Sequence, residues 1–176
     1  MRNELKEMIL SIEDNNPKEI DDINDVVKWI DSDVKIYREA KPNTPNKHLS
    51  TFFVVINKDK NKIVLVHHKL AKAWVPAGGH VEIDEDPLVT VSREAKEELG
   101  IEAEFVTEKP IFLNSKEVGE NHIDVNLWFA LIYDENKYMK YDDLEFHDVR
   151  WFDFDNLPEN SEINLPRFLE KLGKYF

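Results

Sequence analysis

The spacing of hydrophobic positions changes along the chain. Near the start, Leu5, Met8, Ile9 and Ile12 recur three and four residues apart, which lines one stripe of a helix. Asn16-Pro17-Lys18-Glu19 reads as a second helix start, with a capping amide, proline at the first helical position and glutamate at the third. Ile20, Ile23, Val26, Val27 and Ile30 then fall along one face. Two short helices are predicted, followed by a linker at "KPNTPNK" (41–47), where two prolines interrupt regular structure. From His48 the pattern is that of strands. "STFFVVI" (50–56) and "KIVLVHH" (62–68) are rich in β-branched residues and flank the polar "NKDKNK" (57–62), which predicts an antiparallel hairpin. Further strand regions are predicted at 103–114 and 122–133, a short strand and turn at 147–158, and a closing helix opened by Pro166. Strands with few helices between them predict an α+β or α/β sandwich. Residues 1–47 form a helical N-terminal extension and linker in this reading, and 48–176 the main domain.

Composition narrows the class. The 176 residues suit one domain, and 41% hydrophobic against 34% charged is enough for a core but too polar for a membrane protein. No stretch approaches the roughly 18 apolar residues of a spanning helix. The first residues carry no apolar signal region. With no cysteine, disulfides, thiolate metal sites and cysteine nucleophiles are excluded. These features favour a cytoplasmic protein. The net charge of −13 repels a nucleic-acid backbone, so no direct nucleic-acid binding is expected. An anionic substrate would need an offsetting charge, for which a divalent cation is the natural candidate; acidity as a plain aid to solubility is the simpler explanation.

The chemistry concentrates in "PAGGHVEIDEDPLVTVSREAKEELGI" (76–101). Asp86-Pro87 is a helix start and Gly100 a helix stop. At 100° per residue, Leu88, Val91, Ala95 and Leu99 share the flank that faces the core, while Glu94, Glu97 and Glu98 share an adjacent arc. Like charges so close repel, and a hard divalent ion such as Mg²⁺ would relieve them, taking its other ligands from water and substrate phosphates. The Gly78-Gly79 turn lets main-chain groups come close to ion or substrate. Taken alone, "EAKEEL" is an ordinary solvated helix face.

The spacing of the whole string decides otherwise. Gly79, Glu85, Arg93, Glu94, Ala95, Glu97, Glu98, Gly100 and Ile101 match every position of the box that marks Nudix hydrolases (MutT-like), and by composition such a match has a chance of roughly one in 10⁸ per start site. The chain therefore resembles that family over these 23 residues, and more loosely in the strand pattern from about 48 to 158. Asp84 stands where many members carry glycine; aspartate tolerates a left-handed conformation better than most residues.

The resemblance implies a Nudix-type α/β/α sandwich around a mixed sheet. It also implies hydrolysis of the pyrophosphate linkage in a nucleoside diphosphate derivative by metal-activated water, with Mg²⁺, or Mn²⁺ in its place. Carried over residue by residue, Glu97 and Glu98 would be metal ligands. Glu94 would be a further ligand or orient the water, and the Gly78 carbonyl would be another ligand. Arg93 and Glu85 would pair and fix the loop against the helix. Glu145, in "DDLEFHDVRWF", resembles the late-loop glutamate that some members use as ligand or general base; a plain loop acid is its other reading. Gly79, His80 and Glu82 would touch substrate, with Glu82 a fallback ligand. His67 and His68 read as structural histidines at a strand end, His122 as a strand-heading residue able to reach the cleft, and Trp74 and Trp128 as core aromatics before base-stacking ones. Homodimers are frequent in the family. Two alternatives stand beside this reading: a catalytically inactive Nudix-like nucleotide-binding or regulatory module, against which the intact carboxylate set argues, and a hydrolase of a non-nucleotide diphosphate.

Overall fold

The computed structural model describes residues 2–13, 17–40, 44–119 and 122–176. The predicted cap Asn16 and part of the predicted linker, 41–43, lie outside the described residues. In chain order the elements are α1 (Arg2–Leu10), α2 (Pro17–Asp31), β1 (Lys47–Asn57), β2 (Lys62–His68), β3 (Ala73–Val75), β4 (Ala77–His80), α3 (Pro87–Leu99), β5 (Phe112–Glu117), β6 (Ile123–Tyr133), β7 (Phe146–Asp153) and α4 (Leu165–Leu172), with a 3₁₀ turn at Gly173–Tyr175.

The seven strands form one mixed sheet in the order β3-β2-β1-β6-β5, with β4 paired to β1 and β7 to β2. The predicted hairpin is present, with Val55 opposite Val64 and Ile56 opposite Ile63. β1 and β6 run parallel from Lys47/Ile123 to Asn57/Tyr133. One edge of β1 changes partner along its length: residues 50–53 pair with β4 and 55–56 with β2. Both central strands are apolar on two faces, as a sheet covered on both sides requires. Leu49, Phe53, Val55, Val125, Leu127 and Phe129 join a cluster with Val91, Ala95 and Leu99 of α3. Val54, Ile56, Trp128 and Ala130 join a second with Leu165, Phe168 and Leu172 of α4. This is the α/β/α sandwich.

Two sequence expectations need correction. The strand region predicted at 103–114 is regular only from Phe112; before it the chain meets β6 at an isolated bridge, Phe105 to Leu131, and through the Ile111 amide, which donates to the Trp128 carbonyl at 2.8 Å. Pro110 offers no amide to a ladder. The glycine turn predicted at 76–79 is instead the start of a strand, β4, paired to β1 from Ala77↔Phe53 to His80↔Ser50. The helices before residue 47 share the main core: Leu5, Ile9, Ile23, Val26 and Ile30 belong to the α3-side cluster. Ile20, predicted on the same face, is 42% exposed. Glu19 of α2 pairs with Arg167 at 2.7 Å and Lys171 at 2.8 Å on α4.

Candidate active site

A cleft of about 1460 Å³ opens where β1 passes from one partner to the other, lined by β1, β4, β6, α3 and the 144–146 segment. α3 supplies its acidic wall. Its first turn is set by the Asp86 carboxylate, which accepts from Leu88 N–H at 2.8 Å, and by Pro87. Gly100 ends it in the left-handed conformation, φ 64°, where a Cβ costs stability. Asp84 is also left-handed, φ 62°. Val91, Ala95 and Leu99 are fully buried or nearly so, and this fixes the rotation of the helix so that Glu94 and Glu98 turn toward β4.

Glu98 is only 7% exposed. Its carboxylate accepts the Gly78 N–H at 2.9 Å. Burial first, and then the neighbouring Glu94 carboxylate, push its pKa well above the ordinary value; the Gly78 bond opposes this, and Glu145 and Asp142 add to it. Burial also raises Glu94, against the opposing pull of Arg93. Glu145, exposed just before β7, lines the same cleft and bears on both. Glu97 is placed differently: its side chain is 61% exposed, lies 3.4 Å from Arg93 and does not line the cleft.

Arg93 ties these parts together. Its Nε and Nη2 each donate to Glu85 at 3.0 Å, its Nη1 to Glu94 at 2.6 Å, and its Nη2 to the His80 carbonyl at 3.3 Å. This uses the planar guanidinium fork that lysine lacks. Burial alone would raise the Glu85 pKa, but hydrogen bonds from Arg93 and Thr90 and the Glu82 amide outweigh it and leave it lowered. Glu82 sits at the cleft mouth, its N–H 3.2 Å from Glu85.

The two glycines serve space rather than a turn. A Cβ on Gly79 would lie 2.0 Å from Glu94 Oε1, and one on Gly78 would lie 2.0 Å from the Thr51 carbonyl. Gly79 makes room for a carboxylate, and Gly78 lets β4 close on β1.

A second polar group borders the cleft along β1, β4 and β6, with His48 buried behind the residues that line it. His48, His80, His122 and Asp124 meet there. The Nε2 atoms of His122, His48 and His80 lie 2.8, 3.3 and 3.4 Å from one oxygen, Asp124 Oδ1. Burial would raise the Asp124 pKa, but the surrounding imidazoles outweigh it and hold the carboxyl far below the usual range. Burial lowers His80 despite Asp124. Ser50 Oγ donates to Asn126 Oδ1 at 2.7 Å on the same face. His48 and Asp124 carry no motif in the sequence; the available signal was the i, i+2 pair His122 and Asp124 on one strand face. His67 packs on Trp74 and His147, and His68 accepts from the Leu70 and Ala71 amides while lining the cleft. Trp128 is fully buried, with Nε1 bonded to Asn114 at 2.6 Å, and Trp74 packs on Phe152; neither lines the cleft.

Comparison with known proteins agrees with this geometry. No curated protein matches the sequence. A Nudix-family hydrolase from Clostridium perfringens superimposes with a TM-score of 0.63 at 25% identity, covering 74% of this chain and 99% of the other. The E. coli dihydroneopterin triphosphate pyrophosphohydrolase gives 0.52 at 17% identity, over 69% and 85%. A C. elegans Ap4A hydrolase gives 0.56 at 16%, over 72% and 96%. These last two share the fold. The family model of the NUDIX domain matches residues 47–172, and with the complete box laid along one wall of a cleft, the chain belongs to the Nudix hydrolase family.

Proposed function

We propose that this protein hydrolyses the pyrophosphate linkage of a nucleoside diphosphate derivative, dependent on Mg²⁺ with Mn²⁺ as substitute. One observation carries the reading. Glu94, Glu98 and Glu145 converge on the cleft, and among the described residues no basic side chain forms a salt bridge to Glu98. Two carboxylates raised in pKa by burial and then by neighbouring charge, Glu94 and Glu98, with Glu145 beside them, fit a hard divalent cation. Glu98, Glu94, the exposed Glu97 and the Gly78 carbonyl would hold it, leaving Glu145 as the general base rather than a further ligand. When bound, such an ion neutralises phosphate oxygens and acidifies water.

The chain's own groups do the rest. The Gly78 N–H holds the Glu98 carboxylate in place. Arg93 fixes Glu94 from one side and, through Glu85, the loop that follows β4. Glu145, exposed and beside the glutamates, takes the proton of the attacking water, a role that needs reach before pKa. Arg38 and Lys69 line the cleft and offer cations to phosphate oxygens, while Gly79, His80 and Glu82 border the substrate. A small nucleotide derivative, rather than nucleic acid, suits a net charge of −13, and a cytoplasmic setting goes with it. A cleft of about 1460 Å³ exceeds the roughly 300–1,000 Å³ of an ordinary small-ligand pocket, which supports a nucleotide bearing a second moiety. The neighbouring structures are named for different substrates on one fold, and fold leaves that second moiety open. We take residues 1–47 as an extension to the catalytic domain.

The test is a panel of nucleoside diphosphate derivatives incubated with Mg²⁺ or with chelator, with products separated by chromatography. Cleavage of at least one compound, abolished by chelator, is expected. A nucleotide that raises the melting temperature but is not cleaved with any metal would put a binding module in place of the enzyme.

A further inference from the structure

The histidine group on β1, β4 and β6 has a feature that hydrogen bonding does not explain. His48 is fully buried, and its Nδ1 lies 2.8 Å from the Pro45 carbonyl. A carbonyl only accepts, so Nδ1 carries the proton, and in a neutral ring Nε2 then carries a lone pair. That lone pair lies 3.3 Å from Asp124 Oδ1: in the neutral ring an acceptor faces an acceptor, and the ionised Asp124 described above calls for a positive charge, a proton or a metal ion, among the rings. Nε2 of His48, Nε2 of His80 and Nδ1 of His122 are all buried without a hydrogen-bond partner. Buried polar atoms are rarely left so. Protonating the rings would place several cations in a desolvated wall at a high cost. One cation shared among them would supply that charge and take one ring nitrogen from each histidine.

We propose that His48, His80, His122 and Asp124 form a binding site for a divalent transition-metal ion of the Zn²⁺ class, separate from the glutamates. One ligand atom from each of the four lies within 4.8 Å of all the others, so small side-chain rotations bring them to the about 2 Å that zinc takes with nitrogen and oxygen. Three imidazoles and one carboxylate select a borderline ion such as Zn²⁺, whereas Mg²⁺ prefers oxygen. The His48 Nδ1–H bond to a backbone carbonyl is the outer-shell partner that fixes a ligating histidine in its tautomer. β1 and β6 are in register at His48↔Asp124 and β1 and β4 at Ser50↔His80, so three of the ligands stand on paired strands, His122 directly precedes β6, and the ion would join β4 to β6 across β1. His80, His122 and Asp124 line the cleft, which gives the ion a side open to an anionic oxygen. The site does not depend on the hydrolase reading, since none of its ligands belongs to the acidic wall.

The test uses the full chain, stripped with chelator and titrated with Co²⁺ as a coloured stand-in for Zn²⁺. One equivalent is expected to give visible d–d absorption, to be displaced by Zn²⁺, and to be unaffected by a large excess of Mg²⁺ or by Glu98→Gln. His80→Ala, at a position 27% exposed, and Asp124→Asn should each weaken Co²⁺ binding by more than the roughly 10–100-fold that loss of an outer-shell partner costs. Circular dichroism checks that both remain folded. Displacement of Co²⁺ by Mg²⁺, loss of its spectrum in Glu98→Gln, or no stoichiometric spectrum in the unaltered chain would each overturn the proposal, whatever the variants do. Unchanged affinity in folded His80→Ala and Asp124→Asn would overturn it too.

Discussion

The two polar walls of the cleft are built in opposite ways. The acidic wall comes from one helix and the loop before it, so its residues are spaced by helical geometry within a single stretch. The histidine wall is assembled from β1, β4 and β6, whose contributing residues are 76 positions apart at the extremes, His48 to Asp124. Their electrostatics differ as well. Burial, and then the crowding of like charges, drives Glu94 and Glu98 of α3 toward the protonated form; a single carboxylate surrounded by imidazoles stays ionised on β6. A local constellation leaves a readable pattern in the chain, whereas one that depends on strand register leaves almost none.

The largest effect should come from the acidic wall. Glu98→Gln is expected to lower kcat by more than the roughly 10–100-fold typical of an outer-shell loss, with Glu97→Gln acting in the same direction from its exposed position. Steady-state assays on the cleaved substrate check this, and full activity in both variants would remove them as ligands. Glu145→Gln should cost about 10²-fold if it moves the proton, the low end of acid–base contributions; a loss below about threefold would leave it a plain loop acid.

The glycines separate geometry from stability. Gly79→Ala meets first the Glu94 side chain, from Cγ to Oε1, rather than backbone, so the fold should hold while the displaced carboxylate lowers kcat by about tenfold or more. Gly78→Ala meets the Thr51 carbonyl and should destabilise the sheet by about 1–3 kcal/mol or more. Thermal melts and assays on both variants check the contrast, and a stable, active Gly78→Ala would contradict the close approach of β4 to β1.

The smallest effect is in pH. In chelated protein, Glu94 and Glu98 bind protons more tightly folded than unfolded, so their contribution to stability is present below the ordinary glutamate value of 4.5 and is lost as pH rises through the folded values. Asp124 has the reverse sign: its contribution is present above its ordinary 3.8 and is lost only as pH falls into strong acid. Melting temperature followed from pH 4 upward (about the glutamate range) should therefore decline in the chelated chain, and less steeply in Glu98→Gln. An identical slope in the variant would show that Glu98 is not the titrating group.

Much of the acidic wall was legible because its determinants are local. Asp86, Pro87 and Gly100 bound the helix, and Val91, Ala95 and Leu99 set its buried face, all within one segment. The β1–β2 hairpin and β6 were legible for the same reason, as β-branched runs beside polar turns. β4 was not, because two glycines in a row signal a turn until a partner strand is present to pair with them. The N-terminal helices were legible as helices, but their place in the core was not, since amphipathic spacing states that a face is buried without saying against what.

The sequence by itself determined the box, the helix that carries it and the family, since helical period and motif spacing are properties of neighbouring residues. Tertiary structure alone decided that Glu98 is buried and Glu97 exposed, that Gly79 stands clear for Glu94, and that three histidines share one aspartate. Those outcomes depend on which strands pair and in what register, and that is settled by packing across the whole core rather than by any segment of it.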